Sequence, residues 1–543
     1  MKTITRTMNI MLAGVALPLL AGCGANEIAS PGTGGDVIIN PPATPTPSPT
    51  PTPTPSAGVT PAGGCPTTTT DAGTISGPTG EWRVCNLPRI MSASITLAKI
   101  PGLIYQMNGR VDVGCDGGFS APSSSAPVTS STVGCTAANG FGVNGSGQLT
   151  ADTNVTLKIE PGVIIIGGTG NSWLAVNRGN KINAVGAADQ PIIFTSRDNV
   201  LGINTDASMG QWGGVVLMGR GKVTDCTTGS VTAGTCERQT EGSADPAFFG
   251  GNDNAYNAGA MKYVQIRYSG FVLGANVELQ ALTGEGIGTA TELDYIQSHN
   301  SSDDGAEFFG GALRMKHYIA TGADDDSLDA DTGVDSAVQY ALLVQRPGQG
   351  DALMEIDSNG FESDTPRQSL KVANFTAIQS EVSSNNEAND QASVLLRGNS
   401  DTTWVNGLIV SPNNECLRMN ASGTTPATLE AFSVALSCNS TKYVGTGSYT
   451  ADQVKNIFNA GTNNNSDTYV SSLVNVFVNG ATETALKATD PKTVSDFFDT
   501  TDYVGAVKDA NDDWFKGWTC NSSYAPFDDT ANSDRLCTSL PTT

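Results

Sequence analysis

The chain is poor in the residues on which much enzyme chemistry and most nucleic-acid binding depend. Of 543 residues only two are histidine, His299 and His317, which leaves almost no material for a His-built zinc site or a proton shuttle. Charged residues make up 15% and aromatics 6%, a composition that argues against salt-bridged amphipathic helices. Basic residues are scarce, with 29 Lys and Arg against 53 Asp and Glu and a net charge of −24. Such a chain repels a phosphate backbone, so no nucleic-acid partner is expected. There is no C-x₂-C pair for a structural zinc. Nucleophile-elbow and Walker-type motifs are missing too, and Gly284-Glu-Gly-Ile-Gly288 reads as turn glycine. What is abundant is glycine, at 62 residues, with 27 prolines and 38% hydrophobic residues. This is the composition of an extended, turn-rich, all-β protein.

Residues 1–22 begin with Lys2 and Arg6, continue through an apolar run from Met8 to Leu20, and end in small residues before Cys23. The pattern is that of an export signal, and its apolar run is too short for a stable transmembrane helix. Leu20-Ala21-Gly22-Cys23 resembles a bacterial lipobox. The resemblance implies cleavage before Cys23, lipidation of that residue and attachment to a membrane. Gly24 instead of Asp implies sorting to the outer membrane. Residues 23–61 then form a lipidated start and a stalk, because near-strict Thr-Pro alternation from Pro45 to Pro55 favours polyproline II. At ~3.1 Å per residue the stalk spans on the order of 50 Å.

Eleven cysteines become ten once Cys23 carries lipid, and an even remainder suits an oxidising compartment. They fall in sequence-local couples, so the expected pairing is consecutive: Cys65 with Cys85, Cys115 with Cys135, Cys226 with Cys236, Cys416 with Cys438, and Cys520 with Cys537. Each bridge is worth roughly 2–4 kcal/mol.

From Thr150 onward, short β-branched runs alternate with Gly, Asn and Asp turns, without intervening amphipathic helices. Repetition selects a solenoid over a sandwich. The stretch Tyr295 through Glu307 aligns with His317 through Asp329 at an offset of 22, about one coil of a β-helix, and Met261–Ile266 is an earlier version of the same strand. Equivalent residues then stack at ~4.8 Å. The fold class is all-β, a right-handed parallel β-helix with a small, partly helical C-terminal cap. Residues 62–149 are read as a disulfide-stapled N-terminal cap with the first strands, 150–445 as the β-helix and 446–543 as the cap region. Within the cap, Ala451–Phe458 and Val494–Phe498 have helical spacing. Trp212, Ile266, Phe308, Phe309 and Leu328 are assigned to the interior ladder and its turns.

Leu157-Lys-Ile-Glu-Pro-Gly162, Gln211-Trp-Gly-Gly-Val215, Tyr263-Val-Gln-Ile-Arg267 and Asp303-Asp-Gly-Ala-Glu-Phe-Phe-Gly-Gly311 are among several segments that resemble those of the uncharacterised exported parallel β-helix proteins and lipoproteins of Gram-negative bacteria. The resemblance covers roughly 150–520. It implies the fold and brings no established activity or catalytic residue. The cysteine-bearing inserts depart from it.

Between His299 and Asp364 fourteen acids face only Arg314, Lys316 and Arg346. At an offset of 22, Asp303 stacks on Asp325, Asp304 on Asp326 and Glu307 on Asp329. Two carboxylates ~5 Å apart repel by about 3 kcal/mol at an effective dielectric of 20. Compensation comes from raised pKa values, exposure to water, or a hard cation such as Ca²⁺. Asp303, Asp304, Glu307, Asp325, Asp326, Asp329 and Asp331 are the candidate calcium ligands, although Ala330 replaces the glycine an EF-hand loop requires. The ridge also resembles the paired Asp layout of polygalacturonase-like hydrolases, which implies acid and base roles among Asp304, Asp325 and Asp326. That family's Gly-His-Gly and Arg-x-Lys elements are missing. The leading expectation is therefore an anchored module that binds a surface glycan or an outer-membrane protein. The alternative is a calcium-dependent polysaccharide hydrolase or lyase.

Overall fold

A computed structural model describes residues 58–241, 245–271, 279–357, 364–383, 392–421, 425–528 and 531–542. The signal segment, Cys23 and the Thr-Pro stalk lie outside the described residues. Two long sheets of almost entirely parallel strands wind alternately along the chain, which makes the protein an all-β parallel β-helix. In the early coils each turn contributes three separate strands. Ile95–Leu97, Thr156–Ile159 and Lys181–Val185 stack as a first face. Gly80–Asn86, Leu103–Met107, Ile164–Gly167 and Ile192–Ser196 stack as a second. The third face runs from Ile90–Met91 through Trp173–Val176 and Ala306–Phe309 to Tyr443–Gly447. The winding begins at Gly80, inside the region 62–149 read from sequence as a cap with the first strands.

From Gly259–Arg267 onward the first two faces become one bent strand per coil. The bend has a physical cause in each coil. Tyr263, Tyr295, His317, Tyr340, Asn374, Asn406 and Ser433 all have positive φ, between 47° and 62°, and the ladder skips them, passing from Lys262–Asp294 to Val264–Ile296. A left-handed conformation costs a non-glycine residue free energy, least for Asn. At the four aromatic positions stacking offsets the cost. Ring centroids lie 4.5 Å apart for Tyr263–Tyr295, 4.1 Å for Tyr295–His317 and 4.7 Å for His317–Tyr340.

Inside, like stacks on like. Ala184, Met261, Leu293, Met315, Val338, Val372, Trp404 and Ala431 form one interior column, each paired with the next and all buried. Trp212, Ile266, Phe308 and Leu328 are buried as expected. Phe309 differs: strand alternation turns it outward, into a separate apolar cluster with Phe249.

The helix Ala451–Phe458 closes the last coil, started by a Thr450–Gln453 capping box and pressing Val454 and Phe458 onto the core. The second expected helix does not form. A 3₁₀ turn, Pro491–Thr493, stands just before Val494–Phe498 instead, and the short helix Ala481–Thr484 lies further upstream. The remainder of the chain instead returns along the outer side of the second face as a strap. Outward side chains tie its backbone coil by coil: Asn406 Nδ2 donates to Thr489 O at 2.8 Å, Asn374 Nδ2 to Tyr503 O at 3.0 Å and Gln297 Nε2 to Cys520 O at 3.0 Å. Trp518, Phe515 and Phe477 cover the outward Ile319, Leu342 and Val344. Disulfides join Cys65–Cys85, Cys115–Cys135, Cys226–Cys236, Cys416–Cys438 and Cys520–Cys537.

Candidate functional site

The acidic ridge is built on the outward side of the third face. Alternation along each short strand sends Leu282, Ala306, Phe308 and Ala330 into the core and their neighbours out. The register then places Glu307 beside Asp329 and Asp329 beside Glu355 in one column, and Glu285, Phe309 and Asp331 in the next. Leu282–Glu285 is therefore a strand, not the glycine turn its sequence resembles, and Gly284 faces inward where an added Cβ would lie 2.6 Å from the Phe308 ring.

Ahead of these strands, Asp304 and Asp326 occupy the same place in successive turns. Asp304 Oδ1 accepts the backbone N–H of Asp326 at 2.9 Å, and Asp326 Oδ1 accepts that of Ala352 at 2.7 Å. Three overlapping groups result, and within each the carboxylate oxygens approach to 4.8 Å or less: Asp303, Asp304 and Asp325; Asp304, Glu307 and Asp329; Asp325, Asp326 and Asp351. Six of the seven predicted ligands thus converge. The seventh, Asp331, does not join them, because its place in the neighbouring column sets it under Arg238, 3.8 Å away.

Asp304, Glu307, Asp326 and Asp329 are buried and make no ion pair among the described residues. Burial is the first cause that drives all four well above the usual carboxylate range, and neighbouring carboxylates push in the same direction. A hydrogen bond from Glu307 opposes this in part at Asp329. Asp331 is pushed to about 8 by burial, against the pull of Arg238. At the far end Arg397 neutralises Asp357 at 2.5 Å and Glu355 at 3.3 Å. Asp325 is exposed and Asp303 partly so, which opens one side of the cluster to solvent.

Two acids of this face escaped the sequence reading: Asp351, a member of the third group, and Glu285, in the column of Asp331. Asp351 joins from the next turn, where unequal coil length hides the repeat. Glu285 lies in a glycine-rich run, yet it is fully buried, held by Thr240 Oγ1 at 2.7 Å and pushed up to about 8, first by burial. Its Oε1 has no hydrogen-bond partner. The insert that supplies Thr240 also carries the Cys226–Cys236 disulfide and the hairpin of Arg238–Gln239 with Phe248–Phe249. It walls the ridge by packing Phe249 on Phe309, ring centroids 6.1 Å apart.

Such an arrangement can do two things chemically. Clustered carboxylate oxygens can hold a hard cation. Alternatively, buried carboxyls whose pKa values lie well above the usual carboxylate range, beside more exposed Asp303 and Asp325, can act as acid and base. Asp304 shares a group with Asp325, and Asp325 with Asp326, so the three proposed catalytic residues are contiguous.

A family model described as a pectate-lyase like beta helix domain matches residues 128–519. That is well over half of the chain, and the protein belongs to this family. No curated protein and no solved structure shows a match.

Proposed function

We propose that the protein binds polysaccharide along the outer side of the third face, through a divalent cation, most simply Ca²⁺, held by the ridge. The observation that carries this reading is the run of three overlapping carboxylate groups, partly open to solvent, whose buried members Asp304, Glu307, Asp326 and Asp329 make no ion pair among the described residues. A bound cation would relieve the repulsion and leave coordination positions for sugar hydroxyls or carboxylates. The family description, pectate-lyase like, supports a polysaccharide partner. In the same proposal, Cys23 is lipidated and the Thr-Pro stalk holds the β-helix away from the outer membrane, as in the exported lipoproteins its motifs resemble; a glycan of the cell surface or a neighbouring outer-membrane protein is the partner.

A second reading, cleavage of the bound polysaccharide, is favoured by the carboxyls of Asp304 and Asp326, raised above the usual range chiefly by burial, beside exposed Asp325. One group would protonate the leaving oxygen while another activates water. The test is a panel of acidic and neutral polysaccharides incubated with the full chain, with calcium and with EDTA. Retention on a polysaccharide with calcium but not EDTA, without new reducing ends or unsaturated products, supports binding. Product formation that Asp304→Asn or Asp326→Asn abolishes selects cleavage. Neither retention nor product on any polysaccharide overturns both. Intact-mass analysis of the purified chain tests acylation at Cys23.

A further inference from the structure

Away from the ridge, a cavity of about 500 Å³ lies between the outward side of the second face and the end of the strap. Its wall carries three cations, Lys99, Arg267 and Arg535, and two carboxylates, Asp189 and Asp534. In a chain of net charge −24 this is an unusual concentration of positive charge. Asp189 is exposed, while Asp534, like Lys99 and Arg535, is partly exposed.

The cations are not paired. None of the three makes an ion pair among the described residues. Arg267 is almost completely buried, yet its guanidinium meets only neutral oxygens: Gln265 Oε1 at 2.8 Å, Cys537 O at 3.0 Å and Ser539 O at 2.8 Å. Burial lowers it to about 10. Lys99 is also pulled down by burial, and its ammonium donates only to Gly162 O at 2.6 Å. A desolvated cation that faces neutral acceptors has lost hydration that only an opposite charge restores in full. The cavity volume is that of a small-molecule site, and Gln190, Thr519 and Asn532 add neutral hydrogen-bonding groups to its wall.

We propose that this cavity binds the anionic group of a sugar-sized ligand, a carboxylate or a phosphate, between Lys99, Arg267 and Arg535. Guanidinium and ammonium donors recognise both groups by charge-assisted hydrogen bonds. The site is independent of the ridge and of any cation bound there.

The test is calorimetric titration of the full chain with D-glucuronate, glucose 6-phosphate and glucose, repeated on Lys99→Gln and Arg535→Gln, both at partly exposed positions. At least one charged sugar is expected to bind at one site, with glucose silent and each variant weakening binding on the order of tenfold. Preference for glucuronate identifies the carboxylate source, and preference for glucose 6-phosphate the phosphate source. Chelation leaves this binding unchanged, which separates it from the ridge. Should a variant unfold, the wild-type salt dependence serves instead, since ion pairing weakens with ionic strength. Silence from both charged sugars, or affinity indifferent to the variants and to salt, overturns the proposal.

Discussion

Asp304 and Asp326, 22 residues and one coil apart, are joined by a hydrogen bond from the backbone N–H of Asp326 to Oδ1 of Asp304 at 2.9 Å. Asp304 and Asp326 therefore each have two tasks, Asp326 accepting in turn from Ala352 N–H. Each ties one turn of the solenoid to the next, and each adds a carboxyl to a crowded cluster. The first task uses an acceptor oxygen, which an amide also supplies; the second uses the charge.

Replacement by the isosteric amide separates these tasks. Asp326→Asn keeps an acceptor for Ala352 N–H and removes one carboxylate from a group of three. Without metal near pH 8, thermal unfolding should show it more stable than wild type by about 1 kcal/mol, a fraction of the like-charge repulsion expected at such distances. A loss of stability would mean that these carboxylates are compensated.

The pH dependence has a definite sign. Glu285 and Asp331 are raised from ordinary values of 4.5 and 3.8 to about 8, chiefly by burial. Between those limits the native state binds more protons than the unfolded chain. Their contribution is complete below the ordinary carboxylate range and is lost as pH rises through about 8. Each group contributes a slope of up to ~1.4 kcal/mol per pH unit inside that window. Denaturant unfolding of EDTA-treated protein should weaken from about pH 5 to pH 8, and Glu285→Gln should flatten the decline. An unchanged slope in the variant would show that Glu285 ionises normally.

The strap depends on its disulfide and on the ladder beneath it. Replacing Cys520 and Cys537 together by Ser removes a bridge over 17 residues and should cost about 2–4 kcal/mol. Limited proteolysis should then cut the strap near Trp518 before the coils. Cleavage no faster than in wild type would show that Gln297 and the buried aromatics hold it alone.

Close packing of turns is tested at Gly407, where an added Cβ would lie 2.1 Å from the Phe375 ring. Gly407→Ala should destabilise by about 1–3 kcal/mol through overpacking, as read from the shift in denaturant midpoint. An unchanged midpoint would show that the coils separate to admit a methyl group.

Several features were legible in the sequence because they are local or periodic. The offset of 22 revealed the stacked acids and the column through Leu293 and Met315, since a solenoid converts sequence spacing into contact. The disulfides were legible because each partner lies within one coil of the other. The strap was not. Its contacts, such as Gln297 with Cys520, span more than two hundred residues and follow no period. Unequal coil lengths hid Asp351, and a glycine-rich surrounding disguised the strand that holds Glu285. The outward turn of Phe309 followed from strand alternation, but the insert that covers it has no counterpart in the repeat.

Calcium titration of EDTA-stripped full chain by calorimetry tests most directly the proposal that a cation answers the charge of the ridge. Wild type should show saturable binding and a raised unfolding temperature, by about 2.7 kcal/mol of stability at one hundred times the dissociation constant. The effect should be larger near pH 8 than near pH 5, because protons compete for the same oxygens, and Asp304→Asn combined with Asp326→Asn should abolish it. No heat and no change in unfolding temperature at any pH would contradict the account.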